Sequence, residues 1–273
     1  MTPASPAPTV ARPRPAARGT AWAARAGLVA WGVIYVLVGL LALRVALGDR
    51  RQQADRNGAL AELANRPFGA ALLWALGLGL VGMAVWRLSE AVFGAVGPDG
   101  RAAHMRLPAL ARCLFYTAVA WSVLEFAAGA GGGSGDAASR DLTARALGLP
   151  AGQWLVAAVG AGIVVTGVWT GVQAVRRDYC RQLKAGAMAG PVRRAVDVTG
   201  VVGGLARAAV FVAAGAFAVR AAVDYRPDRA KGVDDTLRSF AGTPAGPWLL
   251  AAVAVGLILF GLFAFALARW RRV

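Results

Sequence analysis

The sequence predicts an all-α polytopic membrane protein, six transmembrane helices arranged as three repeated helical hairpins in a pseudo-threefold bundle. Three observations carry this reading. Hydrophobic residues make up 58% of the chain and charged ones only 16%, well above the roughly 45–50% apolar content of soluble domains. Six apolar runs, near 25–47, 68–94, 109–130, 153–175, 198–222 and 247–268, each approach the about 20 residues that cross about 30 Å of hydrocarbon. Finally, the chain states one phrase three times: "RPFGAALLWALGLGLVGMAVW" (66–86), "LPAGQWLVAAVGAGIVVTGVW" (149–169) and "TPAGPWLLAAVAVGLILFGLF" (243–263).

The elements follow in order. Residues 1–21, with five prolines and three arginines, read as a disordered tail. The apolar run behind it is long enough to span, so it reads as an uncleaved start-transfer helix. Repeat 1 occupies 22–97, repeat 2 occupies 104–177, a basic loop 178–195 follows, and repeat 3 occupies 196–273. Between the two spans of each repeat stand "NGALAELANRPFG", "DLTARALGLPAG" and "VDDTLRSFAGTPAG". Each opens on a helix-capping Asn or Asp and stops at Pro67, Pro150 or Pro244, which predicts a short interfacial helix and a Pro-x-Gly turn into the next span. Trp154 and Trp248 flank two of these turns, where amphipathic rings favour the headgroup level.

Aligning Gly69, Gly152 and Gly246 puts Leu72, Leu155 and Leu249, then Gly79, Gly162 and Gly256, then Trp86, Trp169 and Phe263 in register. Steps of seven keep these positions on one helix face, a predicted packing seam. The odd-numbered spans align independently on Tyr35, Tyr116 and Phe211, followed by small Gly39, Ala120 and Gly215. Small residues along one stripe allow close helix approach, which in lipid takes over from the hydrophobic effect as the drive for association.

The triplicated hairpin, opened by "RAGLVAWGVIYVLVGLLALRVALG" and closed by "PFGAALLWALGLGLVGMAVWRLSEA", resembles a bacterial, actinobacterial-type family of six-span membrane proteins of unknown function built from three repeated two-helix units. The likeness covers roughly residues 22–270. The second repeat departs most: Ala120 replaces the glycine of "YVLVG", and Glu125 stands where the others have Arg44 and Arg220. The resemblance implies membrane location and a triplicated architecture, and no catalytic residues.

The net charge of +16 is unevenly divided. The N-terminal tail, the second and fourth loops and the C-terminal end hold 18 Lys/Arg against four acids, and the other three loops hold 12 against ten. Because Lys and Arg are retained in the cytoplasm, both termini are expected inside a bacterial cytoplasmic membrane, with anionic lipid headgroups as partners of the basic face. Nucleic acid is not needed to explain the charge. Arginine outnumbers lysine 28 to 2, in keeping with a GC-rich bacterial source. Cys113 and Cys180 fall on the reducing side of this topology, so no disulfide is expected. One histidine, His104, and no clustered Cys, Asp or Glu give no metal-ligand spacing, and no cofactor is expected.

Ionisable residues inside spans are costly and therefore candidates for function. Arg112 and Arg207 occupy equivalent positions one turn before the aromatic column, where repeat 1 has Trp31. Glu90 ends the seam of the second span, and Gln173 matches it in repeat 2. These four predict an inward-facing polar cluster, either an anion or headgroup site or a carrier vestibule. The competing structural reading pairs Glu90 with a seam arginine and lays Arg112 and Arg207 over Tyr116 and Phe211 as cation–π contacts. Glu125 is a candidate intramembrane partner for an arginine of a neighbouring repeat. "GLGLVG" (77–82) lies mid-span without a preceding strand, and "GAGGGSG" (129–135) lacks the Lys-Ser/Thr of a phosphate loop. No nucleophile triad can be assembled around a single histidine. The expected function is therefore a non-enzymatic structural or accessory bundle that binds lipid, a protein partner or a second copy of itself. The alternative is a small carrier or channel with an inward-facing Arg/Glu site.

Overall fold

The computed structural model describes residues 15–48, 54–65, 67–93, 103–129, 135–183, 188–226, 231, 233–241 and 246–271. Among them the order is α1 (Pro15–Ala46), α2 (Arg56–Ala64), α3 (Gly69–Phe93), α4 (Ala103–Ala127), α5 (Gly135–Leu147), α6 (Gly152–Arg176), a short 3-10 helix (Asp178–Gln182), α7 (Gly190–Val223), α8 (Val233–Ala241) and α9 (Gly246–Trp270). Six of these, α1, α3, α4, α6, α7 and α9, are long and apolar enough to cross a membrane. The helices α2, α5 and α8 are the short helices expected between the two spans of each repeat. They share one end of the molecule, and the start of α1 and the end of α9 share the other. We call these the loop-helix end and the terminal end.

Two boundaries differ from expectation. Residues 15–21 belong to the first turns of α1 and not to a disordered tail: Pro15 at the first helical position and the alanines behind it favour helix. Residues 1–14 lie outside the described residues. The fifth span is part of a 34-residue helix beginning at Gly190, because Pro191 stands in its first turn, where a missing N–H costs nothing.

The Pro-x-Gly phrase has a backbone reason. Phe68 and Ala151, the middle residues of two of these turns, are left-handed, with φ of 62° and 60°. The glycine behind each sits against the end of the preceding short helix. A Cβ on Gly69 would collide with the Ala64 carbonyl, and one on Gly152 with the Ala146 carbonyl. The equivalent turn at Pro244 lies outside the described residues.

Packing follows a single rule used three times. Each odd-numbered span lies against the even-numbered span of the repeat before it, cyclically: α1 on α9, α4 on α3, α7 on α6. Equivalent residues make each contact. A methyl placed on Gly39 would sit 2.8 Å from the Ala254 carbonyl oxygen, and one on Gly215 would sit 2.7 Å from that of Gly160. One helical layer further along, Gly32 abuts the Gly261 carbonyl, Gly167 abuts the Ala208 carbonyl, and the thiol of Cys113 donates to the Ala84 carbonyl at 3.5 Å. Cys113 and Cys180 are both unbridged.

The contacts within repeats are less regular. Repeats 1 and 3 form hairpins, α1 on α3 and α7 on α9, but the two spans of repeat 2, α4 and α6, do not pack as a pair. The helices therefore run α6, α7, α9, α1, α3, α4 around an arc, and the pseudo-threefold ring stands open in its second repeat. The three repeated two-span units are present, and the spans of the second stand apart. Gly27 and Gly203 make the close approaches within repeats 1 and 3, to Met83 and Phe260; the aligned position of the second repeat in the sequence is Pro108. The helix joining these spans, α5, has 13 residues where α2 and α8 have nine.

Polar contacts close the loop-helix end. Asp234 of α8, 5% exposed, accepts the Ala54 N–H and the Arg238 Nε, each at 2.8 Å. Arg56 of α2 donates to the Ser122 hydroxyl of α4 at 3.1 Å. Burial pushes the Arg56 guanidinium below its usual range, and Asp55 acts the other way. Arg140 of α5 pairs with Asp235 of α8. Below this cap, α8 buries Thr236 and Leu237 completely.

Gly152→Ala is expected to lower thermal stability in detergent by about 1–3 kcal/mol, because backbone must move to admit the methyl. Gly162→Ala, facing open space, is expected to stay within about 0.5 kcal/mol of the natural chain. A fluorescence melting series on the purified proteins reads both.

Candidate functional site: an arginine cluster at the terminal end

The inner faces of the odd-numbered spans converge. Trp31 lies 5.3 Å from Tyr35, 5.4 Å from Tyr116 and 6.0 Å from Phe115, all edge-on, and Tyr35 lies 4.7 Å from Phe260. Such geometries add about 0.5–1.5 kcal/mol each to area burial. Tyr35 and Tyr116 of the aromatic column read from the sequence are thus joined through Trp31 in a packed ladder, and Phe211 meets Arg207 instead.

Arg207 of α7 enters this ladder, with its guanidinium 4.9 Å from the Phe211 ring centre, 5.0 Å from Phe260 and 5.8 Å from Tyr35. The contact with Phe211 is the one expected from sequence. Those with Phe260 and Tyr35 come from other helices. Aromatic faces attract the cation but do not neutralise it, and the buried Nε of Arg207 has no hydrogen-bond partner. Arg112 of α4 is exposed on the open side and feels the charges of Arg87, Glu90 and Arg207. It is not among the cation–π pairs, so the expected stacking on Tyr116 does not form.

Glu90 takes Arg87 as its partner, three residues earlier on α3, at 2.6 Å, with side chains 18% and 12% exposed. Arg87 also lies 4.3 Å over Trp86, and Arg271, just beyond α9, lies 4.7 Å over the same ring. Burial, then the charge of Arg87, pulls the Arg271 guanidinium down to about 10, with Glu90 acting the other way. At neutral pH it remains a cation. Its backbone pairs with that of Leu183, which ties the end of α9 to the loop after the 3-10 helix.

Among the described residues the result is four guanidiniums and one carboxylate: Arg87 pairs with Glu90, Arg112 and Arg271 feel both, and Arg207 acts on Arg112. Of the four residues expected to meet, Glu90 and Arg207 both act on Arg112 through their charges. Gln173 is exposed on α6, outside the cluster, because α6 is held by α7 and separated from α4. Arg87 and Arg271 were not picked out from sequence. Arg87 carried a signal, its spacing of three from Glu90. Arg271 carried none, since only the fold brings the end of α9 beside α3.

The other candidates separate in the same way. Gly79 packs on Ala26 and Ala30 of α1, and Gly256 packs on Ala206 of α7. Gly162 has no heavy atom of another element within 4 Å of a Cβ placed on it. Gly39, Ala120 and Gly215 are all buried. Leu72, Leu155 and Leu249, expected in the seam, are exposed, as is Trp169, while Trp86 and Phe263 are buried. The seam thus applies only to the terminal half of α3 and α9. Glu125 is exposed and forms no ion pair among the described residues, since α4 has no neighbouring span on its open side. Arg44 instead pairs with Glu62 at 3.6 Å, and Arg220 with Asp224 at 3.9 Å. Among the described residues no three His, Cys, Asp or Glu side chains gather as metal ligands.

A second polar group lies beside the cluster, on the loop before α7. The Tyr179 hydroxyl donates to the Asp197 carbonyl at 3.1 Å, and the Cys180 thiol donates to Oδ1 of Asp197 at 3.5 Å. Burial raises the Cys180 thiol, and the Asp197 carboxylate raises it further. The same two causes push Tyr179 up to about 12.

These features define a class: a multi-pass α-helical membrane protein of three homologous two-span units, with a cationic cluster at the end that carries its termini. The chain belongs to the family described as Domain of Unknown Function (DUF1206), which matches it three times, at residues 26–94, 107–177 and 202–271. It is 33% identical over 242 residues to the "Uncharacterized protein YxxB" of Bacillus subtilis (strain 168), covering 88% of this chain and 87% of that one. No solved structure matches the chain.

A raised thiol pKa means little thiolate at neutral pH, and losing the Asp197 charge lowers that pKa. With Cys113 replaced by Ala, Asp197→Asn is therefore expected to speed maleimide labelling of Cys180 at pH 7.5 by roughly three- to tenfold and to move the pH–rate profile to lower pH. Labelling rates across pH 6–9 check this.

Proposed function

We propose that this protein is a non-enzymatic membrane-embedded bundle that holds anionic, phosphate-bearing headgroups at its arginine cluster, in a structural or accessory role. The observation that carries the reading is the surplus of cation among the described residues: four guanidiniums to one carboxylate, two of them, Arg87 and Arg207, with a buried Nε that has no partner. A buried charge without a counter-charge is unfavourable, and guanidinium forks suit phosphate oxygens bidentately. The charge division along the chain supports a cytoplasmic location for both termini in a bacterial cytoplasmic membrane, which puts the cluster against the anionic leaflet. The aromatic ladder across the bundle favours a packed binder over a carrier, which would need a wetted path.

Two measurements test this. In detergent, the purified protein is expected to be stabilised by phosphatidylglycerol more than by phosphatidylcholine, with the difference reduced by salt. Arg112→Gln is expected to remove most of that difference, a loss of roughly tenfold in apparent affinity. Equal stabilisation by the two lipids sinks the proposal. For orientation, Cys180 in cells is expected to resist an impermeant maleimide until the membrane is opened.

A further inference from the structure

The opening in repeat 2 leads to this cluster. On its α6 side stand Gly162, Thr166, Trp169 and Gln173, spaced by four, three and four residues and all exposed. They lie on one face, the face that in α3 and α9 is buried as Gly79–Trp86 and Gly256–Phe263. Thr166 spends its hydroxyl on its own helix, donating to the Gly162 carbonyl at 2.7 Å, so the upper part of the stripe offers an essentially apolar surface. On the α4 side, Ala111 and Phe115 are exposed. Ala111 is the equivalent of Ala30 and Ala206, which in the other repeats lie against Gly79 and Gly256. Both halves of a helix contact are thus present and stand apart.

We infer that this opening is a lateral seat for an anionic diacyl phospholipid, with its acyl chains along the stripe of α6 and its phosphate at Arg112. The inference rests on the reading of the arginine cluster as a headgroup site and names its ligand. Dimensions and charge both support it. The stripe from Gly162 to Gln173 spans about 16 Å at 1.5 Å per residue, the depth of one leaflet of an about 30 Å hydrocarbon core. It occupies the half of α6 nearest the terminal end, and the contact of Cys113 with Ala84 sets Arg112 level with Gly167, the α6 counterpart of Ala84, within that half. The exposed guanidinium therefore stands beside the apolar stripe, from where a long side chain reaches toward the headgroups, and the charges of Arg87 and Arg207 reinforce it. A second copy of the chain seated here would bring two surplus-cationic clusters together, and a neutral lipid would leave that surplus uncompensated.

The test uses the full-length chain, delipidated in detergent, with phosphatidylglycerol and sn-glycerol 3-phosphate as probes and native mass spectrometry and melting temperature as readouts. Gly162→Trp fills open space, so the fold tolerates it. It is expected to weaken phosphatidylglycerol binding tenfold or more and leave glycerol phosphate binding unchanged. Arg112→Gln is expected to weaken both probes. If Gly162→Trp leaves phosphatidylglycerol binding intact while Arg112→Gln weakens it, the seat is wrong and the headgroup site stands. If Arg112→Gln weakens neither probe, the headgroup site fails and the inference with it. As an independent check, Ala111→Cys with Gly162→Cys, in a chain lacking Cys113 and Cys180, is expected to form no disulfide in phosphatidylglycerol vesicles. Ready formation within one chain would show that α4 and α6 close on each other, and formation between chains would show a second copy in the opening. Either overturns the inference.

Discussion

Everything in this molecule depends on how closely two helix backbones can approach in a solvent that gives apolar side chains no reason to associate. In lipid, packing replaces the hydrophobic effect, and contact distance decides which helices pair. The contacts of Gly32 with Gly261, Cys113 with Ala84 and Ala208 with Gly167 are one contact made three times. They join each repeat to the one before it. The covalent hairpin is thus not the main packing unit, although it is the unit in which the chain repeats.

That difference explains why the second repeat can diverge without dismantling the bundle. With the interfaces between repeats intact, α4 is held by α3 and α6 by α7, and the contact within repeat 2 is dispensable. Pro108 replaces a glycine there, Gly162 faces open space and Gln173 is left exposed. The remaining contacts hold the arc, and the polar cap of α2 and α8 closes its loop-helix end.

The same asymmetry shapes the electrostatics. In a closed ring, Arg112 would be enclosed beside Arg207, both without carboxylates of their own. The open repeat leaves Arg112 accessible from the side, whereas Arg207 lies among three aromatic rings and the single carboxylate, Glu90, is taken by Arg87. Cation–π contacts make a buried guanidinium tolerable without discharging it. The cluster therefore keeps a positive character that a phosphate can meet, which links the open side to the proposed role.

Much of this was fixed by local properties. The length and apolarity of six runs set the number of spans, the thrice-stated Pro-x-Gly set the repeat and its turns, and the column through Tyr35, Tyr116 and Phe211 marked the inner face of the odd-numbered spans. Glu90, Arg112 and Arg207 could be placed together because periodicity determines which face of a helix a residue occupies. Periodicity does not say which other helix that face will meet. Ala111 and Gly162 have the same small residues as their packed counterparts and yet stand apart, and Arg271 joins Trp86 and Arg87 only because α9 ends beside α3. The sequence alone determined the spans, the repeat and the inward faces, since each arises within one helix. The tertiary structure decided the pairing of repeats, the open second unit and the full membership of the arginine cluster, because those depend on how closely separate backbones can approach.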